Sequence, residues 1–133
     1  MPHIPVVAIV DDDEAVREAL SDLLMVSGLA CRPFDGAPAF LAEYAPGRFD
    51  CLITDMRMPG MSGLELLECL HTLGSAMPAI VLTSVHDDQA RTRALDLGAK
   101  AWLTKPAADD MLLRQLHAAI GGNGVIWPEG LGQ

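Results

Sequence analysis

Short apolar runs alternate along the chain with longer stretches in which apolar residues recur every three or four positions. Runs of the first kind are typical of buried strands, and stretches of the second kind are typical of amphipathic helices. The pattern predicts five strands, over residues 6–10, 30–34, 51–54, 79–83 and 101–104. It predicts a helix after each strand: over 14–26, from 38 onward, from 62 onward, over 87–97 and, last, up to Gly121 and Gly122.

Local signals mark where several of these helices begin and end. Asp13 fits a helix N-cap, and Ser62 with Glu65 has the spacing of a capping box, in which the two side chains close the first turn. Gly28 and Gly98 are placed to end the first and fourth helices. The fourth helix has only a sparse apolar face, which predicts a loosely attached element.

The alternation of strands and helices predicts an α/β fold with a parallel sheet covered on both faces. Because crossovers are right-handed, the sheet is doubly wound. The strand order 2-1-3-4-5 is one of two common choices, and periodicity alone does not select it. A chain of 133 residues fits one domain. We assign residues 1–121 to that domain and the glycine-rich residues 122–133 to a C-terminal tail or linker.

Composition narrows the classes of function. The formal net charge of −9 argues against direct nucleic-acid binding by this chain, which requires a basic patch. No apolar run approaches the ~20 residues of a membrane span, and no secretion signal is recognisable, so the expected location is the cytoplasm. The three cysteines form no C-x-x-C pair and the four histidines have no ligand spacing, which predicts reduced thiols and no zinc site.

Polar residues that could bind a metal ion or react follow four of the predicted strands. Asp11 and Asp12 end the first strand, Asp55 the third, Thr83 the fourth and Lys105 the fifth. The carboxyl ends of parallel strands meet at one edge of the sheet. The sequence therefore predicts one site with three carboxylates, a hydroxyl and an ammonium.

Such a site suits a hard cation and phosphoryl chemistry. Three close carboxylates repel one another unless a positive charge lies between them, and Mg²⁺ prefers oxygen ligands, with Mn²⁺ as an alternative ion. Asp55 is a carboxylate nucleophile. Lys105 and the metal would neutralise charge on transferring oxygens, which is most of what phosphoryl transfer requires.

Five motifs, in this order and spacing, resemble those of response-regulator receiver domains from two-component systems. They are residues 10–13 (VDDD), 55–63 (DMRMPGMSG), 82–84 (LTS), 97–99 (LGA) and 105–106 (KP). The second is most similar to the branch found in nitrogen-fixation-type transcriptional regulators. The resemblance covers residues 5–120 and implies the flavodoxin-like receiver fold, with the strand order 2-1-3-4-5.

The resemblance implies a role for each matching acidic position. Asp55 would be the phosphorylated aspartate. Asp12 would bind Mg²⁺ directly, and Asp11 would help through water. Arg57, two residues after the acceptor, would lend its backbone carbonyl to the metal.

The resemblance also implies a switch. Lys105 would contact the acceptor and then the phosphoryl group, and Thr83 would move to hydrogen-bond a phosphoryl oxygen. Trp102 stands where the family usually has Tyr or Phe, the aromatic whose rotamer follows the threonine, and its larger ring restricts that swing. Ala107 replaces a frequent Phe and removes a packing anchor.

The implied partner is a sensor histidine kinase, or else a small phosphodonor. The output face would be the fourth helix, fifth strand and fifth helix, which could also form a homodimer after phosphorylation. Beyond self-catalysed phosphorylation and dephosphorylation, no enzyme activity and no membrane partner are expected. Whether a DNA-binding domain follows Gln133 is left open.

Three other hypotheses about the function remain open. A Mg²⁺-dependent phosphatase with an aspartyl intermediate commonly has a second acid two residues after the first, where this chain has Arg57. A flavodoxin-like cofactor binder wants a Ser/Thr/Gly-rich loop after the first strand, where this chain has three aspartates. A receiver that no longer switches could serve only for docking, which intact Asp55 and Lys105 disfavour.

Overall fold

The computed structural model describes residues 4–121. Five strands and five helices alternate along this part of the chain. The strands are β1 Val6–Val10, β2 Ala30–Phe34, β3 Cys51–Thr54, β4 Ala79–Thr83 and β5 Ala99–Thr104. The helices are α1 Glu14–Val26, α2 Ala37–Glu43, α3 Gly63–Thr72, α4 Asp88–Asp96 and α5 Asp109–Ile120.

All the strands are parallel and lie in the order β2-β1-β3-β4-β5, which confirms the predicted doubly wound fold. The register pairs Val10 of β1 with Thr54 of β3. It also pairs Thr83 of β4 with Thr104 of β5. The residues that follow β1, β3, β4 and β5 therefore emerge along one edge of the sheet.

Strand β5 begins two residues earlier than its apolar run predicts. A register shift opposite Ala79 and Ile80 lets Ala99 pair with β4 while Lys100 is exposed. The prediction was wrong here because an exposed lysine interrupts the apolar pattern while the backbone continues as strand.

Side chains of alternating direction divide the core into two layers, as a parallel sheet covered on both faces requires. Val10 of β1 and Leu66 of α3 belong to the layer under α2, α3 and α4. Ile9 of β1, Leu24 of α1 and Leu116 of α5 belong to the layer under α1 and α5. All five residues are fully buried, so the strands that carry the site are firmly held.

Helix α4 makes few buried contacts with the rest of the domain, as its sparse apolar face predicts. Ala94 is its only buried residue, and the partly buried Ala90 packs beside it. An ion pair from Arg93 to Glu68 of α3, at 3.6 Å, joins two exposed side chains and contributes little. This helix therefore has few contacts to lose if it moves.

The predicted caps of two helices are confirmed. Asp13 caps α1 by accepting from the backbone N–H groups of Ala15 and Val16. Ser62 and Glu65 form the capping box of α3, with bonds of 3.1 and 3.0 Å. Both capped helices begin beside the polar edge of the sheet.

The three cysteines are free, as predicted. Cys51 lies fully inside β3, where burial raises the pKa of its thiol from 9.0 to about 12. It is therefore a neutral core side chain at physiological pH. Within residues 4–121, no helix has both the length and the apolar character needed to cross a bilayer.

Candidate functional site

The polar edge of the sheet brings together side chains that are up to 94 positions apart. The ammonium Nζ of Lys105, just after β5, donates to Oδ2 of Asp11 at 2.8 Å and to Oδ2 of Asp55 at 3.2 Å. Asp11 follows β1 and Asp55 follows β3. The parallel register explains why these three residues meet.

Asp11 and Asp55 are buried, with relative exposures of 3% and 8%. The second oxygen of each accepts from the backbone: Oδ1 of Asp11 from the N–H of Asp13 at 2.9 Å, and Oδ1 of Asp55 from the N–H of Met56 at 2.7 Å. These bonds fix the orientation of both carboxylates. Lys105 is the cation that lets two ionised carboxylates share this space.

The charge of Lys105 is stabilised in return. Burial by itself lowers the pKa of the ammonium, but the hydrogen bond to Asp11 and the negative charges of Asp11 and Asp55 outweigh it, so the pKa of Lys105 is raised above 10.5. Lys105 is therefore fully protonated at neutral pH. The site has one fixed positive charge against three carboxylates.

The third carboxylate belongs to Asp12, which is exposed. One oxygen from each of Asp11, Asp12 and Asp55 lies within 4.8 Å of the other two. Oxygens on opposite sides of a Mg²⁺ ion are roughly 4.2 Å apart, at about 2.1 Å from the metal. The oxygen-only donor set suits Mg²⁺, and the exposed position of Asp12 leaves access to water.

Thr83 ends β4 and is completely buried. Its Oγ1 accepts from the backbone N–H of Val85 at 3.2 Å, and its carbonyl accepts from the N–H of Lys105 at 2.8 Å. The hydroxyl thereby ties the start of the loop before α4 to the strand end. Since that bond uses only the oxygen, the hydroxyl proton can be donated to another acceptor.

Arg57 and Trp102 take no part in the ion pairs of Lys105 with Asp11 and Asp55. Arg57 is exposed in the β3–α3 loop and, with Asp12 and Ser62, lines a shallow surface pocket. Trp102 is half-buried on β5, opposite Val81, and packs on the core layer under α4. Beside it is a cavity of about 480 Å³, lined by Val85, His86, Asp87, Asp88, Arg91, Trp102 and Thr104.

Gly63 matters to the site in a way that sequence reasoning missed. It is the first residue of α3, and its N–H donates to the carbonyl of Met56 at 3.0 Å. A Cβ at this position would overlap the carbonyl oxygen of Asp55 and lie 2.9 Å from its carbonyl carbon. Only glycine lets α3 start this close to Asp55. A poor helix former directly after the capping Ser62 was the available signal.

We predict that Gly63→Ala destabilises the protein by roughly 2–3 kcal/mol, because backbone atoms must move to accommodate the methyl group. Urea unfolding measures the effect. Gly36→Ala is the matched control: its Cβ would meet only Pro38, at an ordinary 3.7 Å. Equal losses in the two variants would contradict the steric argument.

Fold and site together define a class of protein. Residues 7–117 match the family described as the response regulator receiver domain, and the chain belongs to that family.

Curated proteins with similar sequences indicate the branch of the family to which the chain is similar. The transcriptional regulatory protein FixJ of Azorhizobium caulinodans is 43% identical over 91% of this chain and 57% of its own length. The response regulator TodT of Pseudomonas putida is 39% identical over 86% of this chain and 51% of its own length. These matches confirm the resemblance to nitrogen-fixation-type regulators. The chain spans about half the length of these curated relatives.

Solved structures agree on the fold. The crystal structure of FixJ-N superposes with a TM-score of 0.82 at 37% identity, covering 89% of this chain and 94% of that one. The response regulator StyR gives a TM-score of 0.83 at 39% identity, covering 89% of this chain and 60% of that one.

Proposed function

We propose that Asp55 accepts a phosphoryl group from a phosphohistidine of a sensor histidine kinase, or from a small phosphodonor. The observation that carries this proposal is the bridge by Lys105 between buried Asp11 and Asp55, with Asp12 beside them. Mg²⁺ would be held by the carboxylates of Asp11, Asp12 and Asp55 and by the backbone carbonyl of Arg57, and Mn²⁺ has the same ligand preference.

In the transfer, a carboxylate oxygen of Asp55 forms a bond to phosphorus while the bond from phosphorus to the donor's nitrogen breaks. The nitrogen keeps the electron pair and takes up a proton. Lys105 neutralises part of the charge on the transferring oxygens, and bound Mg²⁺ supplies further charge neutralisation. The fixed carboxylate of Asp55 needs little reorganisation, since Met56 already holds one of its oxygens.

The phosphorylated side chain carries a charge of about −2 at neutral pH. We propose that the hydroxyl of Thr83 then donates to a phosphoryl oxygen. Because Thr83 also accepts a hydrogen bond from the N–H of Val85, its movement would shift the loop before α4. Helix α4, attached mainly through Ala94, is the element best able to respond. The face formed by α4, β5 and α5 would be the output surface and the site of homodimerisation.

Metal dependence tests the proposal. With acetyl phosphate and Mg²⁺, the full chain should gain one phosphoryl group by intact-mass measurement. EDTA should abolish the gain, and Mn²⁺ should restore it. Equal labelling in EDTA would refute the metal site. Continued turnover of p-nitrophenyl phosphate would instead favour the phosphatase alternative, for which Arg57 two residues after Asp55 offers no acid.

A second expected result concerns Trp102. In a Trp127→Phe background Trp102 is the only tryptophan. Beryllofluoride with Mg²⁺ should shift its emission slightly to shorter wavelength, because the larger ring restricts but does not prevent inward movement of the half-buried indole. Thr83→Ala should remove most of the shift. An unchanged spectrum with bound beryllofluoride would mean that the larger aromatic ring does not follow Thr83.

The setting of the protein is also a proposal. FixJ and TodT are named as a transcriptional regulator and a response regulator, which supports a role in a phosphorelay that controls transcription. The net charge of −9 supports a chain that does not itself bind nucleic acid. We propose a cytoplasmic location, where a sensor kinase would meet it. We also propose that residues 1–121 form the domain; the predicted tail, 122–133, lies outside the described residues.

A further inference from the structure

Arg17 reaches back from α1 to the loop that carries two proposed metal ligands. Its Nη1 donates to the backbone carbonyl of Asp11 at 2.8 Å, and the side chain is half-buried. A guanidinium donor makes this a charge-assisted hydrogen bond, which is stronger than a neutral one. Nothing in the proposed transfer uses this contact.

The carbonyl that Arg17 holds belongs to the peptide bond joining Asp11 to Asp12. A peptide unit is planar, so fixing its carbonyl also fixes the direction in which the Asp12 backbone departs. The neighbouring bonds hold other groups: the N–H of Asp11 donates to Phe34, and the N–H of Asp13 donates to the Asp11 carboxylate. Among the bonds described for this loop, that of Arg17 acts on the peptide that leads into Asp12.

We infer that Arg17 is a positioning residue for the metal site: it orients the peptide between Asp11 and Asp12 so that the exposed Asp12 carboxylate faces Asp55. The inference rests on the proposed function and adds to it a residue outside the acidic cluster. It also links α1 to the site, because Arg17 belongs to α1 and its guanidinium holds the carbonyl of Asp11.

Two effects of removing Arg17 oppose each other. Losing a positive charge favours cation binding, but the Arg17 guanidinium is only half-buried, so water and dissolved salt screen its charge. Losing the orientation of a ligand loop weakens binding, and residues that orient metal ligands typically contribute 10–100-fold in affinity. Orientation is the larger effect, so the net result is weaker Mg²⁺ binding.

The test compares Arg17 with Arg48, which also donates to a backbone carbonyl, that of Glu43 at 2.9 Å. Mg²⁺ affinity is measured by calorimetry on the full chain, and stability by urea unfolding in EDTA. Arg17→Ala should raise the Mg²⁺ Kd about tenfold, and Arg17→Lys, which keeps a charged donor, should recover part of the loss. Arg48→Ala should leave the Kd unchanged.

The outcomes separate the two proposals. If Arg17→Ala loses stability but keeps the wild-type Kd, Arg17 only fastens a loop, and the inference is overturned while the proposed function stands. If the wild type binds no Mg²⁺, both fall. Should Arg17→Ala fail to fold, Arg17→Met takes its place, because methionine keeps an unbranched side chain but has no donor: a wild-type Kd for that variant overturns the positioning role.

Discussion

Asp55→Asn is expected to abolish phosphoryl acceptance. The amide has the shape of the carboxylate but no negative charge, so it lacks the nucleophilic oxygen that would attack phosphorus. Intact mass after incubation with acetyl phosphate and Mg²⁺ measures the loss directly.

Asp35→Asn is the matched control. Asp35 is exposed directly after β2, on the same edge of the sheet as Asp55, so the substitution changes net charge equally without touching the acidic cluster. It should be labelled like the wild type. A phosphoryl group found on the Asp55→Asn variant would show that another residue is the acceptor. Thermal unfolding of both variants checks that the difference is not one of folding.

The ten elements and the convergence of Asp11, Asp55 and Lys105 could be predicted from sequence, because both depend on periodicity and on the parallel sheet rule. A residue at the end of a strand has its place fixed by the strand. The site's finer parts could not be predicted in this way. Gly63 and Arg17 act through loop and helix-start contacts whose path no periodicity describes.

The boundaries of helices and strands also differ in how well the sequence predicts them. The start of α1 was predictable because its cap is local, within Asp13 and the next three residues. The start of β5 was not, since the pairing of Ala99 with Ala79 depends on a register shift between β4 and β5 that skips Lys100. A helix cap depends on residues that are close in sequence and can be recognised there, whereas strand pairing depends on residues that are far apart in sequence.

Lys105→Met is expected to lower the stability of the protein by removing the cation of the site. Methionine keeps an unbranched side chain but leaves Asp11 and Asp55 without their shared cation. Breaking a buried ion pair from one side costs 3–5 kcal/mol, and because a fifth of the Lys105 side chain is exposed we expect about 2 kcal/mol. Urea unfolding in EDTA measures this loss.

Mg²⁺ distinguishes a charge effect from a packing effect in this variant. If Lys105 acts as the resident counter-cation of the acidic cluster, saturating Mg²⁺ should stabilise Lys105→Met more than it stabilises the wild type, through linkage to a site now more negative. Lys100→Met, at an exposed position on the same strand, should show neither the loss nor the larger gain. If Mg²⁺ stabilises all three proteins equally, the ammonium does not share the carboxylates with the metal. The proposed placement of the ion between Asp11, Asp12 and Asp55 would then have to be abandoned.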